Sequence, residues 1–294
     1  MKIILIGTVE FSKEMLKALL ENDSKIQAVI TSNNSEINSD YSDLKPLCEK
    51  NDIPCHITND VNSNRTIELI KSYEADVIYC FGWSRLLKKD LISLPPLGVI
   101  GYHPAELPNN RGRHPIIWAL VLGLKETAST FFIMNEEADS GDIVSQVKVK
   151  IDESDNAKSL YKKLSSIARK QVIEITNNLN QLDAIKVKQD NLKSNIWRKR
   201  SKKDGMIDWR MSAQSIHNLV RGLTRPYPGA HFEFMQKEYK VWETQIMKLE
   251  NIKNIEPGKV LDISEDGNPI IMCGDQCIKL LQLDPINLNK GDYL

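Results

Sequence analysis

The chain has 294 residues, 41% of them hydrophobic and 27% charged, which is enough apolar material for a sizeable core and excludes a fibrous or wholly disordered chain. Its 39 Lys and Arg balance 39 Asp and Glu, and a net charge of zero argues against a dedicated nucleic-acid binder, whose affinity rests on neutralised phosphates. Five scattered cysteines exclude a disulfide scaffold and, being odd in number, point to a reducing, cytoplasmic setting, and no stretch approaches the roughly 18 apolar residues of a membrane span.

Residues 2–6 (KIILI) form an apolar run ending at Gly7, which predicts a buried strand, a turn and a helix over 12–21. Strand 26–31 follows, then a Ser-, Asn- and Asp-rich loop over 32–42. Helix 43–51, strand 53–56, helix 63–73, strand 76–80, helix 88–93 and strand 98–102 continue the alternation. That order predicts an α/β fold with a doubly wound, mostly parallel, Rossmann-like sheet, in which ligands gather at the carboxyl ends of strands. Residues 115–124 suit a buried helix opened by Pro115, strands 128–134 and 143–149 flank the acidic turn EEADSGD, and 155–183 read as a long amphipathic helix or helix pair.

The pattern changes at 184–204, where eight Lys and Arg stand against Asp190 and Asp204 without helical periodicity. The expected organisation is a first domain over 1–184, a basic linker over 185–203 and a second, small β-rich, barrel-like domain over 204–294. An apolar-faced second domain would suit a homodimer. Cys273 and Cys277 flank a tight Gly-Asp turn, and with no second Cys or His pair beside them no metal is expected.

His103 ends the strand LGVIGY. A histidine there is either a loop residue without a role or a group placed for catalysis, and the polar, Pro- and Gly-containing segment HPAELPNNRGRHP favours the second. Asp139 is followed by Ser140 and Gly141, which let the backbone turn sharply and re-aim the carboxylate, whereas Glu136 and Glu137 read as solvated. A His and an Asp on adjacent strand ends could share a proton or a water. Arg111, Arg113, Arg221 and Arg225 are candidates for bidentate phosphate contact or plain surface charges. Tyr227 could stack on a base or belong to a core, and Trp118 and Trp209 are assigned to packing.

His103, Leu107-Pro108, Arg111-Gly112, Thr130 and Asp139-Ser140-Gly141 resemble, in order and spacing, the core of the 10-formyltetrahydrofolate-dependent formyltransferase family. GTVEF (7–11) is similar to the opening of methionyl-tRNA formyltransferases, and DGMIDWRMSAQSIHNLVRGLTRPYPGAHF to the start of the family's second domain. The Arg-Pro-Tyr-Pro-Gly-Ala and Arg-Gly-Arg-x-Pro wordings are closer to enzymes that formylate nucleotide-linked amino sugars. The resemblance implies a formyltransferase with His103 and Asp139 as catalytic groups and Thr130 in support. It implies a 10-formyltetrahydrofolate pocket at Phe81, Gly82, Trp83, Leu86, Ala138 and Asp142, and substrate contacts from Glu10, Arg111, Arg113, Arg225 and Tyr227. The implied substrate is a nucleotide-linked amino deoxysugar, with no membrane partner; methionyl-tRNA and a non-catalytic folate- or nucleotide-binding role are the alternatives. Two positions depart from the family: Gly101 stands where the family has Asn, and Phe132 where it has a second His.

Overall fold

In the computed structural model, which describes residues 1–33, 39–249 and 255–294, the opening apolar run becomes β1 (Ile3–Gly7), buried at every position. Of the loop expected over 32–42, residues 34–38 lie outside the described residues. There follow α1 (Glu10–Glu21), β2 (Ile26–Thr31), α2 (Lys45–Lys50), β3 (Cys55–Ile57), α3 (Asn64–Ser72), β4 (Val77–Phe81), α4 (Lys89–Ile92) and β5 (Val99–His103). Next come β6 (Arg111–Gly112), α5 (Pro115–Val121), β7 (Glu126–Ile133), β8 (Ile143–Lys150), α6 (Ala157–Asn177), α7 (Leu182–Ile185) and β9 (Ile196–Trp197).

Two compact units emerge, the first comprising residues 1–115, 127–149 and 162–197. Its seven-stranded sheet has the order β3-β2-β1-β4-β5-β7-β8. β1 pairs in parallel with β2 and β4, and β4 with β5, while β5 and β7 run antiparallel. The order reverses between β1 and β4, so the ends of β1, β4 and β5 open onto the crevice where such sheets take ligands. The central strands β1 and β4 are apolar runs buried at every position, as strands covered on both faces are. Phe81, Tyr79 and Phe131 stack beneath the strand ends and Tyr102 stacks on Phe11, giving those ends a rigid floor.

The second unit comprises residues 116–126, 150–161 and 198–294. It holds α8 (Ala213–Leu223), β10 (Ala230–Phe234), β11 (Lys237–Met247), β12 (Val260–Ile263), β13 (Pro269–Met272) and β14 (Cys277–Leu283). The strands form one antiparallel sheet in the order β10-β11-β14-β13-β12. Ser212 caps α8 by accepting from the Ser215 amide, and Ile216, Leu219, Val220 and Leu223 face a core with Phe232, Val241 and Leu280. Among the described residues no helix is long and apolar enough to cross a membrane.

Candidate active site

β5 ends on His103, whose register partner on β7 is Thr130. The imidazole is buried, with Nε2 2.8 Å from the carbonyl oxygen of Asn110 and Nδ1 3.6 Å from Asp139 Oδ2. A carbonyl only accepts, so Nε2 carries the hydrogen of that bond, and Nδ1 faces the carboxylate beyond hydrogen-bond distance. Asp139 lies in the turn between β7 and β8 with φ +56°. Gly141 makes that turn possible, since a Cβ there would fall 1.7 Å from the Ile133 carbonyl oxygen. The Gly112 amide donates to Asp139 Oδ2 at 2.9 Å, while Oδ1 has no hydrogen-bond partner among the described residues. The structure therefore brings His103 and Asp139 together as neighbours with one carboxylate oxygen left to the site.

Thr130 is fully buried and serves the loop after β5: its hydroxyl donates to the Ala105 carbonyl at 2.7 Å. Gln146 of β8 donates to both Thr130 Oγ1 and the Leu107 carbonyl, at 3.0 and 2.9 Å. Gly101 faces Phe132 across the β5–β7 register. A Cβ at Gly101 would meet Met134 Cγ at 2.8 Å, Met134 Sδ at 3.1 Å and Phe132 Cζ at 3.1 Å. The space of the family Asn is thus filled by a thioether and a ring edge.

Two expected roles change. Arg111 is buried, and its Nε and Nη2 donate to Gln189 Oε1 at 3.2 and 2.7 Å, with Nη2 also on Asn191 Oδ1 at 2.8 Å. A guanidinium so enclosed holds the protein chain rather than a substrate phosphate. Phe81 is likewise fully buried, its ring packed on Phe11, Tyr79 and Phe131, so it floors the strand end and does not line a pocket.

The other expected folate residues sit around the end of β4 and the β7–β8 turn. Gly82 has φ +65°, and its carbonyl accepts from Thr8 Oγ1 at 3.0 Å. Trp83 follows, with a buried indole Nε1 lacking a hydrogen-bond partner. Leu86 is 59% exposed, Ala138 is exposed, and the Asp142 carbonyl accepts from the Ile133 amide. Arg113 reaches the same loop, its Nη1 donating to the Ser84 carbonyl at 2.7 Å. An orphaned donor, an exposed leucine and a glycine turn suit a flat heterocycle with polar edges. Glu10 is exposed at the first turn of α1.

Arg225 and Tyr227 belong to the second unit. Arg225 lies 4.9 Å over the Trp242 ring, at the rim of a cavity of about 480 Å³ that also takes in His217 and Glu243. Arg221 is clamped onto main-chain carbonyls of Asp152 and Asp155, at 3.3 and 2.9 Å, and is not a free anion site. Tyr227 packs against the unit's apolar core, its alternative reading. Among the described residues no group of three His, Cys, Asp or Glu could hold a metal.

Sequence reasoning missed Met134, Gln146, Gln189 and Asn195. None stands in a motif, and a lone polar residue on a strand or in a basic stretch leaves no periodic signal.

Residues 1–176 match the formyl transferase family and 199–290 its C-terminal domain. A methionyl-tRNA formyltransferase from Geotalea daltonii is 32% identical over 300 residues, covering 100% of this chain and 95% of that protein. The bifunctional polymyxin resistance protein ArnA of Wigglesworthia glossinidia brevipalpis is 32% identical over 96% of this chain but only 42% of its own length, so the chain spans less than half of that relative. The fold is shared with an N-formyltransferase from Helicobacter canadensis solved with folinic acid and dTDP-3-aminofucose: TM-score 0.68 and 17% identity over 95% of this chain and 98% of that one.

Proposed function

The chain belongs to the formyl transferase family and is a formyl-transferring enzyme, and on that premise we propose that it moves the formyl group of 10-formyltetrahydrofolate to the amine of a nucleotide-linked amino deoxysugar. The folate supplies the activated formyl carbon. The observation that carries the chemistry is the His103–Asp139 pair at the end of β5. As the neutral amine attacks it loses a proton to Asp139 Oδ1, the open acceptor, and when the tetrahedral intermediate collapses the bond from the formyl carbon to the folate N10 breaks and N10 takes up that proton as tetrahydrofolate leaves. In the tetrahedral intermediate the negative charge sits on the formyl oxygen, beside the buried His103 imidazole that faces the Asn110 carbonyl and Asp139. Trp83, the Gly82 turn and Arg113 hold the folate side, so much of the acceleration comes from keeping amine and formyl group in contact.

The preference for a sugar acceptor is supported by the basic stretch. Lys186 pairs with Asp183, Lys193 with Asp190, Arg198 with Asp204 and Lys202 with Glu238, while Arg200 stacks on Trp118. With five of its eight cations engaged by the chain itself, the stretch makes a poor grip for tRNA. The second reading, methionyl-tRNA as acceptor, is favoured by the Geotalea relative, which matches along nearly its whole length.

Mass spectrometry of dTDP- and UDP-linked amino sugars and of methionyl-tRNA, each incubated with the protein and 10-formyltetrahydrofolate, tests this. One formyl group gained by a sugar supports the reading; formylation of methionyl-tRNA alone replaces it with the second, and no product from any of these acceptors overturns both. His103→Ala and Asp139→Ala should each slow transfer about 100-fold or more, the scale of a lost acid–base or charge-stabilising group. Near-normal turnover in either variant sinks the catalytic pair.

A further inference from the structure

We propose that Gln189 is a positioning residue for Asp139, which brings a segment outside both family-matched regions (1–176 and 199–290) into the catalytic machinery. The inference rests on the reading of His103 and Asp139 as the catalytic pair.

Gln189 lies in the basic stretch yet is only 6% exposed. Its amide is used completely. Nε2 donates to the carbonyl oxygens of Asp139 at 2.9 Å and Gly141 at 2.6 Å. Oε1 accepts both bonds from Arg111. Two donors and two acceptor lone pairs exhaust a primary amide, so only one orientation of the side chain satisfies every partner. A buried polar group that is fully satisfied specifies one local arrangement.

Those partners bracket the carboxylate from two sides. On one side Gln189 holds the main chain of Asp139 itself, a residue with φ +56° that an ordinary side chain keeps only where its surroundings enforce it. On the other, Gln189 holds Arg111, and the next residue, Gly112, gives its amide to Asp139 Oδ2. The same stretch also ties down the His103 side. β9 pairs in parallel with β6, and Asn195 accepts from the Asn110 amide at 2.8 Å, fixing the residue whose carbonyl meets His103 Nε2. Close approach is enforced at Gly112, where a Cβ would stand 2.3 Å from the Trp197 carbonyl oxygen. Without the Gln189 amide, two carbonyls of the Asp139 turn lose their donors, and the left-handed conformation is left to the Gly112 amide on Oδ2 and the Ser140 hydroxyl on Asn135 and Glu137. Asp139 Oδ1 would then miss the amine, and small misplacements of reacting groups are costly: about 1 Å can lose about 100-fold.

Gln189→Glu separates positioning from bulk stability. It keeps an acceptor for Arg111, now an ionised one, and so keeps the segment anchored, but turns lone pairs toward the Asp139 and Gly141 carbonyls. The test compares Gln189→Glu, Gln189→Ala, Asp139→Asn and the Gln189→Ala/Asp139→Asn double variant. The readouts are kcat and KM with dTDP-3-aminofucose and, in parallel, methionyl-tRNA as acceptors, thermal midpoints, and ¹⁵N NMR of the His103 ring. We expect Gln189→Glu and Gln189→Ala to lower kcat about 10- to 100-fold with little change in the KM for 10-formyltetrahydrofolate. Gln189→Ala should cost less than about threefold more once Asp139 is Asn, because the two act as one unit. Gln189→Glu should keep a near-parental midpoint while shifting the His103 ring signals in the sense that Asp139→Asn does.

If Asp139→Asn keeps its turnover, the catalytic pair is wrong and this inference goes with it. If Asp139→Asn is impaired but Gln189→Glu turns over like the parent, or if the double variant shows independent losses, only the positioning role is overturned. Should neither acceptor be formylated, His103 ring signals unmoved by Gln189→Glu overturn it by themselves.

Discussion

At the end of β5, Gly101 departs from the family pattern by losing a side-chain donor, and Met134 takes the space instead. Met134 and Phe132 crowd the space that a side chain at position 101 would take. Restoring Asn is not a single-residue change. Its Cβ would meet Met134 Cγ at 2.8 Å, and overfilling a packed site costs about 1–3 kcal/mol. Gly101→Asn should accordingly lower the urea midpoint, and adding Met134→Ala should recover part of it; a Gly101→Asn variant as stable as the parent would show that Met134 yields freely. That His103 and Asp139 would lie close together was legible because both sit where local chemistry leaves a mark: His103 at a strand end before Pro, Asp139 just ahead of the glycine its turn requires. Arg111 and Phe81 were misread for one physical reason. Residue type gives hydrogen-bonding capacity and bulk, but only the fold decides whether a guanidinium or a ring faces solvent, and both are enclosed here.

Long elements followed their periodicity. β1 and β4 are continuous apolar runs, and α8 carries an apolar face, so their residues announced strand and helix. β6 and β9 are two residues each, too short for any period, and they pair across more than eighty positions of sequence. Their pairing turns part of an expected linker into a wall of the site. In the second unit, β11 carries Glu238, whose carboxyl is held down to about 2 from an ordinary 4.5, first by a hydrogen bond from Lys202 and then by one from Lys240. A carboxylate with a depressed folded pKa adds stability that is complete above pH 4.5 and fades as pH falls from there toward 2. Because Lys202 is largely exposed, solvent weakens the pair, and Glu238→Gln should lower the thermal midpoint by only about 2 °C near neutrality. That deficit should close as melts are taken from pH 6 down to about 2. A deficit that stays constant with pH would assign the effect to packing instead.

Across the whole molecule the charge is balanced, and the balance is local as well as global. Residues 201–294 hold 12 Lys and Arg against 13 Asp and Glu. Of the eight cations in the basic stretch, Lys186, Lys193, Arg198 and Lys202 pair with carboxylates and Arg200 stacks on Trp118, while Lys188, Lys199 and Lys203 are exposed. A surface of that kind has little to exchange for the condensed counterions of a polynucleotide. An acceptor carrying only a diphosphate has no such atmosphere to release, so its affinity should change by less than about tenfold between 50 and 200 mM salt. A tRNA held through six to ten phosphates would lose about 10³- to 10⁵-fold over the same range. Titration calorimetry with dTDP-3-aminofucose and filter binding with methionyl-tRNA, each repeated across that salt series, distinguish the two acceptors without relying on turnover. A shallow dependence for the sugar nucleotide, with tRNA bound weakly at every salt concentration, is the expected result. Tight binding of methionyl-tRNA at low salt with a steep loss on addition of salt would mean that the chain presents more free positive charge to a polynucleotide than its ion pairs allow, and would reverse the order of the two acceptors.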